Sequence, residues 1–252
     1  MAVFPTGDEA RAAGRDDTAG GRGAGGGGRG MPRVHTRRQW GAKPPRHRAR
    51  VLDRAPDHIV VHHTATTNTK DYSKAQAYRL SRIVQRFHMR QLGWDDIGEQ
   101  LTISRGGYVM EGRNRSLAAI RNGRHVVGAQ TLGYNDSTIG IENEGNYSNA
   151  PVPVQLWASL VDTCVWLCYA YDLDPFQAIV GHRDFGSTEC PGDVLYQRLP
   201  ELRWVVARRL GVQGERVATP GHGDLHVPNQ DSASRTVLRG VPDPPAQPDG
   251  MA

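Results

Sequence analysis

The sequence predicts an α/β fold, a single domain in which a central mixed β-sheet of about five strands is flanked by helices. Two observations carry this. Short β-branched runs alternate with longer stretches whose apolar residues recur at helical spacing. A Gly-Gly turn also separates two of the short runs, as a hairpin requires.

Ten of the first 34 residues are Gly and almost none could fill a core, so 1–34 reads as a disordered Gly/Arg-rich segment. That segment shows no apolar signal-peptide region, although Met31 offers an internal start. The globular domain is expected over 35–212. His58-Ile59-Val60-Val61-His62 is apolar and β-branched, as a buried strand should be. Ser73 is placed to cap a helix to about Arg90, with Leu80, Val84 and Phe87 at helical spacing. Leu101–Ser104 and Tyr108–Glu111 flank Arg105-Gly106-Gly107 and predict a hairpin. Thr138–Glu142 reads as another strand. Pro153–Tyr171 is the clearest helix, with Trp157, Leu160, Val161, Cys164, Val165 and Cys168 on one face. Ala178–Val180 predicts a strand that delivers His182 to the following loop. A last helical segment starts near Asp193, is interrupted by Pro200 and resumes to about Leu210. From Gln213 onward the chain holds six of its sixteen prolines, so 213–252 reads as a loosely ordered tail.

A net charge of +5, much of it between Arg33 and Arg54, suits an anionic partner. Nucleic acid is disfavoured, because no aromatic residues interleave with the basic ones as in recognised binding modules. No stretch approaches the roughly 20 apolar residues of a membrane span. Three cysteines make no disulfide framework. Cys164 and Cys168, four apart on a helix, read as buried thiols, which leaves Cys190 as the odd one.

The run Val180-Gly181-His182-Arg183-Asp184-Phe185-Gly186-Ser187-Thr188-Glu189-Cys190-Pro191-Gly192 sets a His and a Cys eight residues apart in a polar loop. With His62 or His63 upstream it offers two imidazoles and a thiolate, a donor set that suits Zn²⁺. Three protein ligands leave a fourth position for water, the arrangement of a catalytic site. By pattern alone each residue also reads as ordinary, a satisfied histidine or an inert thiol, and the spacing lacks the signature of a zinc finger.

Several further segments bear on the choice: Arg38-Gln39-Trp40-Gly41-Ala42-Lys43-Pro44, Ile59–Ala65, Phe87-His88-Met89, Gly93-Trp94-Asp95-Asp96-Ile97-Gly98, Gly107–Arg113, Gly128-Ala129-Gln130, Gly133-Tyr134-Asn135 and Ile139–Glu142. In this order, and closed by the His182–Gly192 run, they resemble the peptidoglycan recognition proteins and their relatives, the type-2 N-acetylmuramoyl-L-alanine amidases, over about Arg38 to Leu210. The resemblance implies zinc on His62, His182 and Cys190, with His63 turned to the opposite side by strand alternation. Members that only bind peptidoglycan typically lack the Cys, so Cys190 favours hydrolysis of the lactyl-L-alanine amide over recognition without catalysis. Thr188 falls where relatives carry a residue facing the scissile carbonyl. Glu99 stands where many members have Tyr, and some bacterial amidases use a Glu there as general base. Trp94, Tyr134, Asn135 and His63 are the expected substrate contacts, and the partners implied are glycan strand and stem peptide, met by a monomer. His88 reads as structural, and His125 has no motif support. Arg113-Asn114-Arg115 departs from the Gly-Trp pair of members that prefer diaminopimelate. Such a substrate places the work at the cell wall, and release by lysis would account for an absent export signal.

Overall fold

Residues 30–212 are described by the computed structural model; the expectations for 1–29 and 213–252 lie outside the described residues. In chain order they form β1 (Val34–His35), α1 (Arg37–Trp40), β2 (Val51–Leu52), β3 (His58–His63) and α2 (Lys74–Arg90). There follow β4 (Leu101–Ile103), β5 (Val109–Glu111), α3 (Ser116–Arg121), β6 (His125–Val126) and β7 (Thr138–Asn143). The last third holds α4 (Val154–Tyr171), α5 (Pro175–Ala178), β8 (Ile179–Gly181), a 3₁₀ turn (His182–Asp184), α6 (Asp193–Gln197) and α7 (Leu199–Leu210).

The main sheet has six strands in the order β1-β5-β4-β7-β3-β8. All neighbours are parallel except the β4–β5 hairpin. The sixth strand, against about five expected, is β1, whose two residues are too few to show alternation. A separate antiparallel pair, β2–β6, is short for the same reason. Ser73 caps α2 as its position predicts, accepting from the Gln76 N–H. Ala178 is helical rather than extended and ends α5, whose cap is Asp174. The break before α7 falls at Arg198, and Pro200 sits in its first turn, where a missing N–H costs no helical hydrogen bond.

Alternation along the strands sorts the side chains into two layers. Ile59, Val61, Leu101, Ile103, Ile139 and Ile141 face the main core with Leu156, Leu160, Cys164 and Leu167 of α4 and Leu202 and Val206 of α7. Cys164 and Cys168 are free and buried there, and burial pushes the Cys168 thiol up to about 12. Met110, on the other face, packs with Trp40, Ala77, Leu80, Val84 and Ile97 beneath α2. Ser81 of α2 lies 3.3 Å from Thr102 of β4 across the same boundary. The side chains with the chemistry emerge on this α2 face, toward the C-terminal ends of β3 and β7. No helix among the described residues is long and apolar enough to cross a membrane.

Candidate functional site

His62 is the fifth residue of β3 and points to the α2 face, whereas His63 points away, accepting from the Tyr147 N–H at 3.2 Å. β8 lies beside β3 in parallel and ends at Gly181, so His182 emerges next to His62, ring centroids 4.5 Å apart. The following loop returns to place Cys190 Sγ 3.7 Å from His62 Nδ1. One donor atom from each of His62, His182 and Cys190 lies within 4.8 Å of the others. Zinc with these donors spans roughly 3.3–3.6 Å between ligands, estimated from tetrahedral bond lengths, so a small contraction closes the set around an ion.

The protonation states fit a cation. Burial, then the neighbouring His182, pushes His62 well below the usual histidine range, and burial lowers His182 too, so both imidazoles present lone pairs. The Cys190 thiol is pushed up by burial and by Glu142, an environment in which a thiolate needs a positive partner. The His63 N–H also points at Cys190 Sγ, 3.4 Å away.

Gln130 fixes the His62 tautomer. Its Oε1 lies 2.6 Å from His62 Nε2, while its Nε2 donates to Thr138 Oγ1 at 2.8 Å. The amide therefore accepts from His62 and leaves Nδ1 bare toward Cys190. Gly140, on the same face of β7, makes room: a Cβ there would meet Gln130 side-chain atoms at 2.9 Å. Gln130→Ala is expected to weaken metal affinity by about 10–100-fold, read by chelator competition, with the fold retained.

Two carboxylates face the donors. Glu142 is the register partner of His62 on the adjacent strand, so both side chains share one face. Burial, then the charge and hydrogen bond of Glu99, raise the Glu142 carboxyl well above the usual carboxylate range. Glu99 lies just before β4, is buried, and its Oε2 has no hydrogen-bond partner. His88 Nδ1 lies 4.0 Å from that oxygen but accepts from the Gly98 N–H at 3.2 Å. Since burial also lowers the His88 pKa, this contact is a neutral imidazole beside a carboxylate rather than an ion pair.

These groups border a groove of about 930 Å³, which Thr188 and Trp94 also line. Thr188 Oγ1 accepts from the Cys190 N–H at 3.2 Å, which turns the hydroxyl toward the site's edge. Trp94 packs on His88 with centroids 4.7 Å apart, and Leu132, 95% exposed, stands on the groove's rim. Tyr134 and Asn135 do not line it. Asn135 Oδ1 accepts from the N–H groups of Gln130 and Thr131, shaping the loop that carries Gln130, and Tyr134 packs on Phe185 at 4.7 Å. His125 lies away from the groove with Nε2 3.1 Å from the Asn135 carbonyl. Glu142 and Gln130 are the two site residues to which sequence reasoning gave no role.

Residues 52–193 match the family described as N-acetylmuramoyl-L-alanine amidase. A human protein named N-acetylmuramoyl-L-alanine amidase is 36% identical over 174 residues, which cover 68% of this chain and 28% of that relative. The chain thus spans well under half the length of that relative. Wild-type Drosophila PGRP-LB is 27% identical with a TM-score of 0.58, the match covering 66% of this chain and 92% of that one. A PGRP-LB variant in complex with tracheal cytotoxin gives the same TM-score at 26% identity, covering 68% of this chain and 95% of that one.

Proposed function

The chain belongs to the N-acetylmuramoyl-L-alanine amidase family, and from that premise we propose that it is a zinc-dependent enzyme hydrolysing the amide between the lactyl group of N-acetylmuramic acid and L-alanine in peptidoglycan. The observation that carries this reading is the convergence of His62, His182 and Cys190 beside a buried pair of carboxylates at the floor of an open groove. A site for binding alone has no use for two carboxylates driven together at a cost in desolvation.

His62, His182 and Cys190 would hold the ion. The chemistry it supplies when bound is Lewis acidity, which makes a carbonyl more electrophilic and a water more acidic. The chain's own residues do the rest. The Glu99–Glu142 pair, sharing a proton, takes one from the attacking water and returns one to the departing amine of L-alanine. Thr188, at the edge of the site, is positioned to donate to the carbonyl oxygen as negative charge grows on it. Trp94 and the exposed Leu132 give the rim apolar surface against which sugar faces and the alanine methyl can pack. The groove's size suits an extended ligand, and the relative solved with tracheal cytotoxin is consistent with a peptidoglycan fragment there.

Incubating the zinc-loaded protein with purified sacculi tests the reading. New L-alanine amino termini are expected to accumulate with time and to stop on chelation. Sacculus binding without new termini would favour a recognition protein instead.

A further inference from the structure

On the side of α2 away from the groove lies a second cavity, of about 500 Å³, lined by Lys43, Arg46, Arg82, Arg86 and Arg90 with Gln85 and Met89. All five cations are exposed, and no acidic residue lines the cavity. α2 itself, KAQAYRLSRIVQRFHMR, contains no Asp or Glu, and Arg82, Arg86 and Arg90 recur every fourth residue along one stripe. Like charges at that spacing repel one another.

Local structure accounts for part of this charge. Arg82 donates to the Trp40 carbonyl at 2.7 Å, and Arg46 donates to the carbonyls of Gly93 and Met89 at 2.8 and 2.6 Å. Arg90 sits in the last turn of α2, where the helix dipole favours a cation. No hydrogen bond or ion pair holds the side chains of Lys43, Arg86 or Arg90 among the described residues. Successive arginines on the stripe are separated by about 6 Å of helix rise, and guanidinium groups match phosphate oxygens in a two-toothed fashion. The fold thus adds a helix stripe to the basic Lys43–Arg46 turn and leaves the whole without a counter-charge.

We propose that this cleft binds a linear, non-nucleic phosphodiester polymer, a chain of polyol phosphates, with successive phosphates seated against Arg90, Arg86 and Arg82 and flanked by Lys43 and Arg46. The cleft has no aromatic lining on which bases could stack, as single-stranded nucleic acid requires. Met89 is the one apolar side chain in its lining, so the cleft offers little to insert among acyl chains as an interfacial lipid site does. Val84 and His88 of the same helix face the groove, so a polymer held here would tether the protein beside its substrate; that use, though not the binding, rests on the hydrolytic reading.

The test compares the zinc-loaded full chain with its K43Q/R86Q/R90Q variant, titrated with poly(glycerol phosphate). Oligothymidylate of equal phosphate number and anionic phosphatidylglycerol vesicles serve as competitors. Binding is expected to weaken at least tenfold in the variant, and the log–log salt slope to flatten by about two, taking the value per phosphate for a single strand. Hydrolysis of a soluble, phosphate-free muropeptide should be unchanged, because none of the three residues touches the groove. Equal binding by parent and variant would overturn the proposal, as would oligothymidylate or vesicles binding as tightly as the polymer. If neither protein hydrolyses the muropeptide yet the variant still loses the polymer, the hydrolytic reading fails and the cleft stands.

Discussion

Cys190→Ala is expected to yield a folded protein that retains no stoichiometric zinc and releases no L-alanine termini from sacculi above background. The three donors divide the work unequally. His62 and His182 are neutral, so Cys190 is the donor that brings negative charge directly to the ion. Its thiol is held protonated by burial and by Glu142 until a cation arrives, so zinc binding should release its proton and grow tighter as pH rises. Without the sulfur two imidazoles remain, and affinity should fall by more than the roughly 10–100-fold expected for an outer partner such as Gln130. The parent's Tm should rise with zinc, because an ion that binds only the native state adds about 2.7 kcal/mol at a hundred times its Kd. The variant's Tm should stay flat across the same titration while matching that of the metal-free parent. A variant that kept one equivalent of zinc would remove Cys190 from the centre.

The His62, His182 and Cys190 cluster was reached in the sequence through the resemblance to a known family, because by local pattern alone each of the three also reads as ordinary. His62 closes an apolar β-branched run, and His182 and Cys190 sit in one short polar loop. Glu142 was not legible in the same way. Within Thr138–Asn143 it reads as the polar end of a buried strand, and its importance arises from a register with β3, a pairing across about eighty residues that no local pattern encodes. Gln130 shows the same limit, since the need for it is created by the imidazole it orients and the space for it by Gly140. Asn135 is the reverse case. A motif match put it in the substrate groove, whereas its side chain holds the backbone of the loop that presents Gln130. The basic cleft was half legible: the charge of 33–54 stood out, but only the packing of α2 beside Lys43 and Arg46 joins it to three more arginines. The fold class came through because alternating short β-branched runs and amphipathic helices leave few other arrangements. Two-residue strands such as β1 carry no period to read.

The two carboxylates separate the chemistry from the metal. Glu99→Gln and Glu142→Gln each preserve shape and remove an ionisable group, and neither residue is among the three clustered donors. Both variants should therefore bind zinc as the parent does and lose about 10²–10⁴ in kcat, the range of a general acid–base contribution. The pH profile tests the coupling of the two. Glu142 is raised by burial first and then by Glu99, so it stays protonated into a pH range where an ordinary carboxyl has ionised. Removing the Glu99 charge should let Glu142 ionise at lower pH, and the acid limb of the residual kcat/KM in Glu99→Gln should move down accordingly. In Glu142→Gln the group with the raised pKa is gone, so the limb it set in the parent should disappear from that position too. Full activity in Glu99→Gln would leave Glu142 as the single base, and full activity in Glu142→Gln would give that role to Glu99 alone. Loss in both, with zinc retained and the parent's acid limb displaced in each, is the result a proton shared between two buried carboxyls requires.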